Sequence, residues 1–592
     1  MPSHLSHNTE RCHEETVQVL GYDRLPSMDD RDRLPYTLAT VHEIQPCGNI
    51  TPVGLVHETI QPTKLHGYDL PQIDEEQGLV VSSMLIKDFW DFPSTGRVLL
   101  LDLAFVCMTL VLGLIFMVLF EIFRIHSFKS QFPPGPTPLP FVGNLPLFLK
   151  NPMEFIRSLS QYGEMTTMYL GRKPTIMLNT IQLAKEVLVQ DAFAGRPCLP
   201  VLDWVSNGLG IVMVTFNNSW RQQRRFALHT LRNFGLGKKS IESRVLEESQ
   251  YLIAELLKDE GKSVNPHHAL QNAFSNVICS IVFGDRFDYD NKRFEHFLKI
   301  LGKSMILTGS AAGQIFNLAP FIKHFPGPHQ KIKQNANELF GFIRDEVKEH
   351  KKTLDPGSPR DFIDAYLLEI EKHKSNKDST FHEDNLIGSA IDLFFAGTDT
   401  TETTIRWGLL FLIQNPDVQE RCHEEIVQVL GYDRLPSMDD RDRLPYTHAT
   451  VHEIQRCAKT VPLGVIHETI QPTKLRGFDI PQETMILINL AAIFSNKEHW
   501  KHPDTFNPEN FLDENGHFSK PECFIPFSLG LRVCLGEMLV RTELFLFITS
   551  LLQRIHFSWP PEAKPTDMDG IMGIVRYPQT FSIICCSRDT KE

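Results

Sequence analysis

The chain has 592 residues, of which 42% are hydrophobic, 22% charged and 10% aromatic, a composition that excludes a disordered or low-complexity protein. Its net charge of −13 argues against a general nucleic-acid-binding protein, because such proteins rely on Lys and Arg contacts with phosphates. The 11 cysteines are odd in number and show no repeated spacing, so they favour a reducing compartment over a disulfide framework.

The first feature along the chain is an internal duplication. Residues 10–72 recur as residues 420–482, and 50 of the 63 positions are identical. The copy lacks the arginine of a helical ion pair that the later segment carries, because a proline stands in its place. A segment of this size, taken from a larger fold, buries little core of its own. We interpret residues 1–83 as a duplicated fragment fused ahead of a start near Met84, with a regulatory extension as the alternative.

A membrane anchor is predicted next. From Leu103 to Phe120 the chain has 18 residues without a charge, about the length that crosses a bilayer as a helix. The run is apolar on all faces, unlike a core helix of a soluble protein. The Lys and Arg residues on its two sides do not decide its orientation. We therefore predict a single transmembrane helix over residues 98–120.

A proline-rich hinge and one large domain follow the anchor. Residues 131–140 predict a semi-rigid extended spacer. Helical periodicity then dominates, at 220–232, 241–258, 333–352, 384–413, 415–429, 446–457 and 535–553. Short strand-like runs lie at 167–179, 474–490 and 571–586. The sequence thus predicts a mainly α domain with small β-sheets over residues 141–588.

The segment around Cys534 carries the clearest chemistry. This cysteine comes just before a predicted helix, where free N–H groups and the positive end of the dipole stabilise a thiolate. Arg532 adds a cation, and Gly530 and Gly536 leave the backbone open to a flat group. A lone thiolate is a poor zinc site, which needs four ligands, but suits an axial ligand of haem iron. A buried structural cysteine is the alternative.

Five positions here resemble the haem-thiolate signature of the cytochromes P-450. They are Phe527, Gly530, Arg532, Cys534 and Gly536. The resemblance covers residues 84–588 and is greatest to the vertebrate microsomal family-2 enzymes of the J-subfamily type. It implies the P-450 fold, a helical haem domain with small β-sheets behind a single N-terminal transmembrane helix. It also implies haem b as the cofactor, with Cys534 donating electron density to the iron and so favouring O–O cleavage.

A second motif lies within the predicted helix 384–413. Its residues are Ala396, Gly397, Thr398, Asp399, Thr400 and Thr401. A glycine within a helix costs about 1 kcal/mol, and threonines there bond to carbonyls and bend the helix, which suits an opening for O2. The resemblance implies that Asp399 and Thr400 deliver protons to oxygen and that Ala396 and Gly397 lie against the haem. A packing notch of small residues is the alternative.

The resemblance assigns two supporting sets of residues. Glu453 and Arg456 match the fixed ion pair of the family, and Asn510 stands where relatives often carry Arg or His, so backbone bonds are expected to complete this network. The positions that match haem-propionate contacts are Arg196, Trp220, Arg224, His467 and Arg532. Ordinary surface charge is the alternative for Arg196 and His467.

The substrate pocket is also assigned by resemblance. Its candidate residues are Leu199, Met213, Phe394, Phe395, Ala396, Val461, Leu463, Val465, Met572 and Ile574. Such an apolar wall matches lipophilic substrates, either polyunsaturated fatty acids such as arachidonic acid or xenobiotics. The family implies an endoplasmic reticulum membrane protein whose catalytic domain is cytosolic.

Electrons must come from a partner, because the chain shows no dinucleotide or flavin fingerprint. The family implies NADPH–cytochrome P-450 reductase, with cytochrome b5 as a second candidate donor. A basic cluster could face the acidic reductase, with a solvated helix face as the alternative; its members are Arg221, Arg225, Arg232, Lys238 and Lys239. Leu531 stands where relatives usually carry Lys or Arg, which predicts weaker coupling.

The main hypothesis is a membrane-anchored haem monooxygenase, and two other interpretations stay open. A haem-thiolate isomerase or dehydratase would need neither O2 nor a reductase. Asp399 and Thr400 argue against it, because that chemistry has no use for protons directed at oxygen. The non-enzymatic interpretation is a fused gene product that inserts wrongly into the membrane and takes up no haem.

Overall fold

The computed structural model describes residues 63–65, 68–70, 94–128, 131–235, 239–376, 378–562 and 567–588. The chain divides into two compact units, Met1–Leu114 and Ile115–Glu592. In the first unit, strands β1 (Thr63–Leu65) and β2 (Tyr68–Leu70) form an antiparallel hairpin. Residues 410 positions later form a hairpin of the same register, so this part of the duplicated sequence keeps its local fold.

Helix α1 (Ser94–Phe128) contains the predicted anchor and is longer than expected. Its apolar window, Phe105–Ser127, has a mean hydropathy of 2.6 and is only 6% buried. The helix continues past residue 120 because Arg124 donates to Glu121 one turn earlier, at 2.9 Å, which lets charged residues extend it. By length and composition, this is a helix that can cross a membrane.

The second unit is mainly helical. Its helices are α2 (Leu145–Lys150), α3 (Pro152–Ser158), α4 (Ile181–Leu188), α5 (Pro200–Ser206), α6 (Asn218–Asn233), α7 (Lys239–Leu257), α8 (His267–Val282), α9 (Lys292–Gly309), α10 (Ala311–Leu318), α11 (Gln330–Thr353), α12 (Phe362–Lys372), α13 (Glu383–Gln414), α14 (Pro416–Leu430), α15 (Pro445–Ala458), α16 (Leu490–Ile493) and α17 (Glu537–Arg554).

Small sheets lie beside the helices. Their strands are β3 (Met165–Leu170), β4 (Lys173–Leu178), β5 (Ser263–Val264), β6 (His467–Glu468), β7 (Thr473–Leu475), β8 (Phe478–Ile480), β9 (Met485–Ile488), β10 (Ile555–Ser558), β11 (Ile571–Met572), β12 (Arg576–Tyr577) and β13 (Ile583–Ser587). The largest described sheet has the order β3-β4-β9-β6, and a three-stranded sheet has the order β10-β13-β5. The prediction of a mainly α fold with small sheets is confirmed.

Helix α13 runs through the centre of this unit. The His382 side chain accepts from the Asn385 N–H at its start, two acidic residues occupy its first turn, and Pro416 follows its end. Most of its residues are buried, because it packs against α8, α11 and α15. A buried central helix of this kind fixes any side chain that it presents to an internal space.

The proline-rich hinge differs from its predicted role as a spacer. It is extended, but it docks on strand β3 of the four-stranded sheet, where the Thr167 N–H donates to the Pro134 carbonyl at 3.1 Å. A Cβ on Gly135 would lie 1.8 Å from the Thr167 carbonyl oxygen, so only glycine permits this approach. The Asn144 amide group donates to the carbonyls of Pro136 and Thr137. The hinge therefore belongs to the edge of the folded domain.

Candidate active site

The loop before α17 presents one cysteine. Cys534 follows a short 3-10 helix, Gly530–Arg532, and its N–H donates to the Phe527 carbonyl at 3.0 Å, which closes the loop. Helix α17 has no side-chain cap at Gly536. Its first N–H groups therefore lack acceptors within the helix and are available to the sulfur.

Opposing influences act on the Cys534 thiol. Burial is the largest of them and raises its pKa. The N–H groups of Gly536 and Glu537 and the Arg224 guanidinium act to lower this pKa, because each favours a negative sulfur. The side chain nevertheless keeps exposed surface. The thiol is surrounded by protein but keeps accessible surface, so it faces an internal space. A ligand in that space can reach the sulfur.

Gly530 has a different role from the one predicted. Its φ is +71°, and a Cβ there would lie 2.0 Å from the Leu188 carbonyl oxygen at the end of α4. Glycine is therefore required for the left-handed turn and for the contact with α4, not to clear space for a flat group. At Gly536 a Cβ would lie 3.9 Å from the Cys534 sulfur, so that position does keep the space beside the thiol open.

Three arginines meet on one side of this loop. Arg532 donates to the carbonyls of Ala194 at 3.0 Å and Val214 at 2.8 Å. Arg196 donates to the carbonyls of Val212 at 3.0 Å and Ile466 at 2.6 Å. Arg224 donates at 2.5 Å to the carbonyl of Val533, the residue before the cysteine. These hydrogen bonds to the backbone hold the three arginine side chains in place.

Two predicted neighbours complete the cluster. The Trp220 indole N–H donates to the Ile211 carbonyl at 3.1 Å, and the Arg532 guanidinium lies 4.1 Å from the centre of the Trp220 ring. His467 is buried, with Nδ1 at 2.9 Å from the Phe193 carbonyl, so that this nitrogen carries the proton. The structure therefore brings together all five residues predicted to contact propionates.

The charge of this cluster is not neutralised by protein. Burial lowers the pKa of Arg532 to about 8, with Arg196 and Arg224 adding to the effect, and burial also lowers that of Arg196 to about 9. Burial, together with the charges of Arg196 and Arg532, holds the pKa of His467 well below its usual value. Within the described residues, none of the three arginines forms an ion pair with a carboxylate. The cluster is thus suited to an anionic group that carries carboxylates of its own.

The threonines of α13 bond to their own helix, as predicted. The Thr400 hydroxyl donates to the Ala396 carbonyl at 2.6 Å, and Thr401 donates to that of Gly397 at 3.0 Å. Ala396 is exposed, although Phe394 and Thr398 on either side are fully buried. An exposed residue within a buried helix faces an internal space. Ala396 and Thr400 therefore border that space.

Gly397 and Asp399 lie elsewhere on the helix. A Cβ on Gly397 would lie 2.4 Å from the Cδ1 atom of Ile278 on α8, so this glycine permits helix packing, as the alternative interpretation proposed. Asp399 is buried and accepts a hydrogen bond from the Tyr577 hydroxyl at 2.8 Å. Successive residues on a helix differ in direction by about 100°, so Asp399 and Thr400 do not share one face.

The predicted ion pair lies fully buried on α15. Arg456 donates twice to Glu453, at 2.6 and 2.7 Å. Its remaining N–H groups reach backbone carbonyls, including those of Phe494 at 2.8 Å and Thr505 at 2.7 Å. Asn510 completes the network, because its amide group donates to Glu453 at 3.1 Å. The third partner is therefore this side chain together with the expected backbone bonds.

Comparison with known proteins decides the family. The family model for Cytochrome P450 matches residues 6–93 and 133–585. Cytochrome P450 2J2 of Homo sapiens is 43% identical over 475 residues, which cover 79% of this chain and 94% of the relative. Cytochrome P450 2B19 of Mus musculus is 43% identical over 467 residues, 78% of this chain and 94% of the relative. The chain belongs to the cytochrome P450 family.

The family settles the class of reaction and the cofactor. As a cytochrome P450 with vertebrate family-2 relatives, this protein is a membrane monooxygenase of lipophilic substrates with a thiolate-ligated haem iron. Cytochrome P450 2J5 of Mus musculus, 41% identical over 512 residues, aligns over 86% of the chain and 99% of its own length. The predictions of family, fold, enzyme class and cofactor are confirmed.

The predicted pocket residues of this P450 do not all lie together. Leu463 and Met572 pack against one buried cluster, and Phe395 packs against another that includes Tyr577. The remaining predicted residues that keep exposed surface are Leu199, Met213, Val461, Val465 and Ile574. Phe394 is different, because it is fully buried against Phe283 and Phe297. Its prediction as a pocket residue is wrong, since it points into the helical core on another face of α13 from Ala396.

One carboxylate that supports the cationic cluster was not predicted from the sequence. Asp392 on α13 accepts from the N–H groups of Ile211 at 2.6 Å and Val212 at 2.9 Å. The carbonyls of these two residues are acceptors for Trp220 and Arg196. Asp392 thus holds the loop on which the cationic cluster depends. Its spacing of one helical turn before Ala396 was the available signal, since it places both residues on one face.

The predicted basic cluster of this P450 is divided. Arg221, Arg225 and Arg232 are exposed along one side of α6. Arg221 pairs with Asp191 at 3.3 Å, and Lys239 with Asp439 at 3.2 Å, both at exposed positions. Lys238 lies outside the described residues. The helix therefore presents a positive surface that is partly neutralised.

Proposed function

We propose that this P450 epoxidises or hydroxylates polyunsaturated fatty acids such as arachidonic acid, or oxidises xenobiotics of similar lipophilicity, with electrons derived from NADPH. The observation that carries the site assignment is the reachable Cys534 thiol beside three buried arginines without carboxylate partners among the described residues. The largely apolar predicted pocket wall supports the substrate class.

The residues present fit a haem, and each has a separate task in the proposal. When bound, the haem supplies the activation of O2. Cys534 supplies the thiolate ligand, and the N–H groups of Gly536 and Glu537 stabilise its negative charge. Arg196, Arg224 and Arg532, with Trp220 and His467, orient and neutralise the propionates.

Two residues of α13 provide protons in this proposal. The Thr400 hydroxyl, now bonded to the Ala396 carbonyl, borders the space where O2 would bind and passes a proton from its oxygen atom. Asp399 replenishes that proton from its carboxyl group. Burial and then the nearby Glu402 raise the pKa of Asp399 to about 6, so this carboxyl group exchanges its proton closer to neutral pH than an ordinary aspartate does.

We also propose the electron donor. NADPH–cytochrome P450 reductase would dock on the exposed basic side of α6, where Arg221, Arg225 and Arg232 steer an acidic partner. Cytochrome b5 is a second candidate donor for the same surface. Leu531, next to the thiolate loop, removes one cation from the approach and is expected to weaken the coupling.

Helix α1 and the domain surface support a proposal for the location of this protein. We propose a single-pass anchor in the endoplasmic reticulum membrane, with the catalytic domain in the cytosol. The apolar helix α1 supports the anchor. Exposed apolar side chains on and after α10 would also rest on lipid; they are Ile315, Leu318, Phe321 and Phe325.

The full chain, expressed with haem and reduced under carbon monoxide, is expected to show the strongly red-shifted band of a thiolate-ligated haem. Product formation should require NADPH, O2 and added reductase, because no electron source is visible in the chain. Consumption of NADPH and O2 against product measures this. Turnover without NADPH or O2 would instead establish the isomerase or dehydratase alternative, and an unshifted band would contradict the site.

Residues 1–83 are proposed to take no part in catalysis. A chain that begins at Met84 is therefore expected to give the same carbon monoxide band and the same product rate per haem as the full chain. The comparison uses both proteins in the same membranes with saturating reductase. A band in the full chain that is lost in the shorter one would show that the duplicated segment is needed, and would contradict the proposal.

A further inference from the structure

Tyr577 lies between the predicted pocket wall and the predicted proton donor. Its hydroxyl donates to the Asp399 carboxylate at 2.8 Å, and both side chains are buried, at 7% and 3% exposure. The ring of Tyr577 packs in one small cluster with Met305, Val575 and the predicted pocket residue Phe395. One side chain thus touches both the acid and the substrate side of the domain.

The backbone around Tyr577 is held firmly. The preceding residue, Arg576, donates from its N–H to the Thr460 carbonyl at 2.9 Å and from its guanidinium to the Ala458 carbonyl at 2.9 Å. Its own carbonyl accepts from the indole N–H of Trp407 on α13 at 2.9 Å. Strand β12 is therefore fastened to α13 and to the end of α15, which leaves the phenol little freedom to leave Asp399.

We propose that Tyr577 is a positioning residue for the oxygen-activating site: its hydroxyl holds the Asp399 carboxyl group and controls when that group carries a proton. The inference rests on the proposed function, because it assigns Asp399 the role of proton donor. A buried hydroxyl that merely needed an acceptor would form the same bond without influence on proton delivery. The two cases differ in how the pH dependence changes when the hydroxyl is removed.

Several charged groups face Asp399. Glu402 and Arg406 lie on its own helix, His267 lies on α8, and Tyr577 lies on β12. Burial and then Glu402 raise the pKa of Asp399 to about 6, whereas the Tyr577 hydrogen bond, His267 and Arg406 act to lower it. A donor to a carboxylate favours its charged form. Without Tyr577 the carboxyl should hold its proton to higher pH.

The size of the change follows from the loss of one hydrogen bond to a charged acceptor, which corresponds to a rise of roughly one to two pH units. The folded-state pKa of Asp399 already exceeds its unfolded value of about 3.9, so the stability that this group provides is present at low pH and is lost as pH rises through the folded pKa. In a Tyr577→Phe variant that loss should extend to about pH 7 to 8.

The experiment compares the haem-loaded full chain with Tyr577→Phe, Asp399→Asn and the double variant. Thermal unfolding from about pH 4 to 9, which spans the unfolded and folded pKa values of Asp399, and the fraction of consumed NADPH recovered as product are measured on each. In Tyr577→Phe, the pH midpoint of the product fraction should move upward by about one to two units. The midpoint of the unfolding curve should move upward by about half as much, because the substitution changes the folded-state pKa and not the unfolded-state pKa. In the Asp399→Asn background, the added Tyr577→Phe change should move neither midpoint. Should Tyr577→Phe not fold, Asp399→Asn alone must remove the step in stability that ends near pH 6 from the unfolding curve.

Tyr366 provides the matched control. It is a fully buried tyrosine whose hydroxyl donates to Gln223 at 2.7 Å, away from Asp399. Tyr366→Phe should leave both pH midpoints in place. Unchanged midpoints in Tyr577→Phe, equal shifts in the two variants, or an unfolding curve without the step would overturn the inference. An unmodified chain that needs neither NADPH nor O2 would instead overturn the proposed function, since the unfolding curves do not depend on turnover.

Discussion

Replacing Cys534 with serine is expected to abolish monooxygenase activity and remove the red-shifted carbon monoxide band. A serine hydroxyl is not ionised near neutral pH and is a harder ligand than a thiolate, so it donates less electron density to haem iron. The surrounding N–H groups and Arg224 are arranged for a negative sulfur and cannot compensate. Product formation should fall on the order of a thousandfold or more, as it does when an essential catalytic group is removed.

The control for this change is Cys586→Ser, at a half-buried position on β13. This variant should keep both the band and the activity, because it makes the same change of side chain on a strand that carries no predicted site residue. The carbon monoxide difference spectrum and product rate per haem measure both variants. Retention of the red-shifted band in Cys534→Ser would mean that another residue ligates the iron, and the site assignment would be wrong.

Much of the fold could be predicted from the helical spacing of apolar residues along the chain. The predicted helix 384–413 became α13 (Glu383–Gln414), and 446–457 became α15 (Pro445–Ala458). Helix α8 was missed, and it buries polar side chains such as Gln271, Asn272 and Asn276 together with apolar ones. Buried polar side chains interrupt the apolar stripe by which a helix is recognised in a sequence. Periodicity therefore does not by itself decide whether a helix lies at the surface of the domain or at its centre, since the central α13 was predicted and α8 was not.

Local motifs predicted which residues matter, but not what each one touches. The environment of the Cys534 thiol could be predicted from the sequence around it, since the thiol and the N–H groups of the next helix are adjacent in sequence. By contrast, Gly530 contacts Leu188, and Asp399 contacts Tyr577. These partners are far away in the chain, and no local pattern couples them. The roles of such residues emerge only when the packing of distant elements is known.

The buried ion pair of α15 is expected to be the most sensitive structural element. A Glu453→Gln substitution would leave the Arg456 guanidinium buried at 1% exposure with no negative partner. Removing one member of a buried pair costs about 3–5 kcal/mol, a large share of a typical total stability of about 5–15 kcal/mol. Arg456 also donates to the carbonyls of Phe494 and Thr505. The backbone at these two residues should therefore become more mobile when the ion pair is broken.

The measurement is urea unfolding, together with the rate of haem loss from the loaded protein. Glu349→Gln is the matched control, since Glu349 forms an exposed pair with Lys352 at the same spacing, at 2.7 Å. Exposed pairs are screened by water, so this change should alter neither measurement noticeably. If both substitutions had equal effects, the contribution of the Glu453–Arg456 pair to stability would come from its helical spacing and not from its burial. The difference expected between them arises because only Glu453 compensates a charge that water cannot reach, and Asn510 cannot take over that task because its amide is neutral.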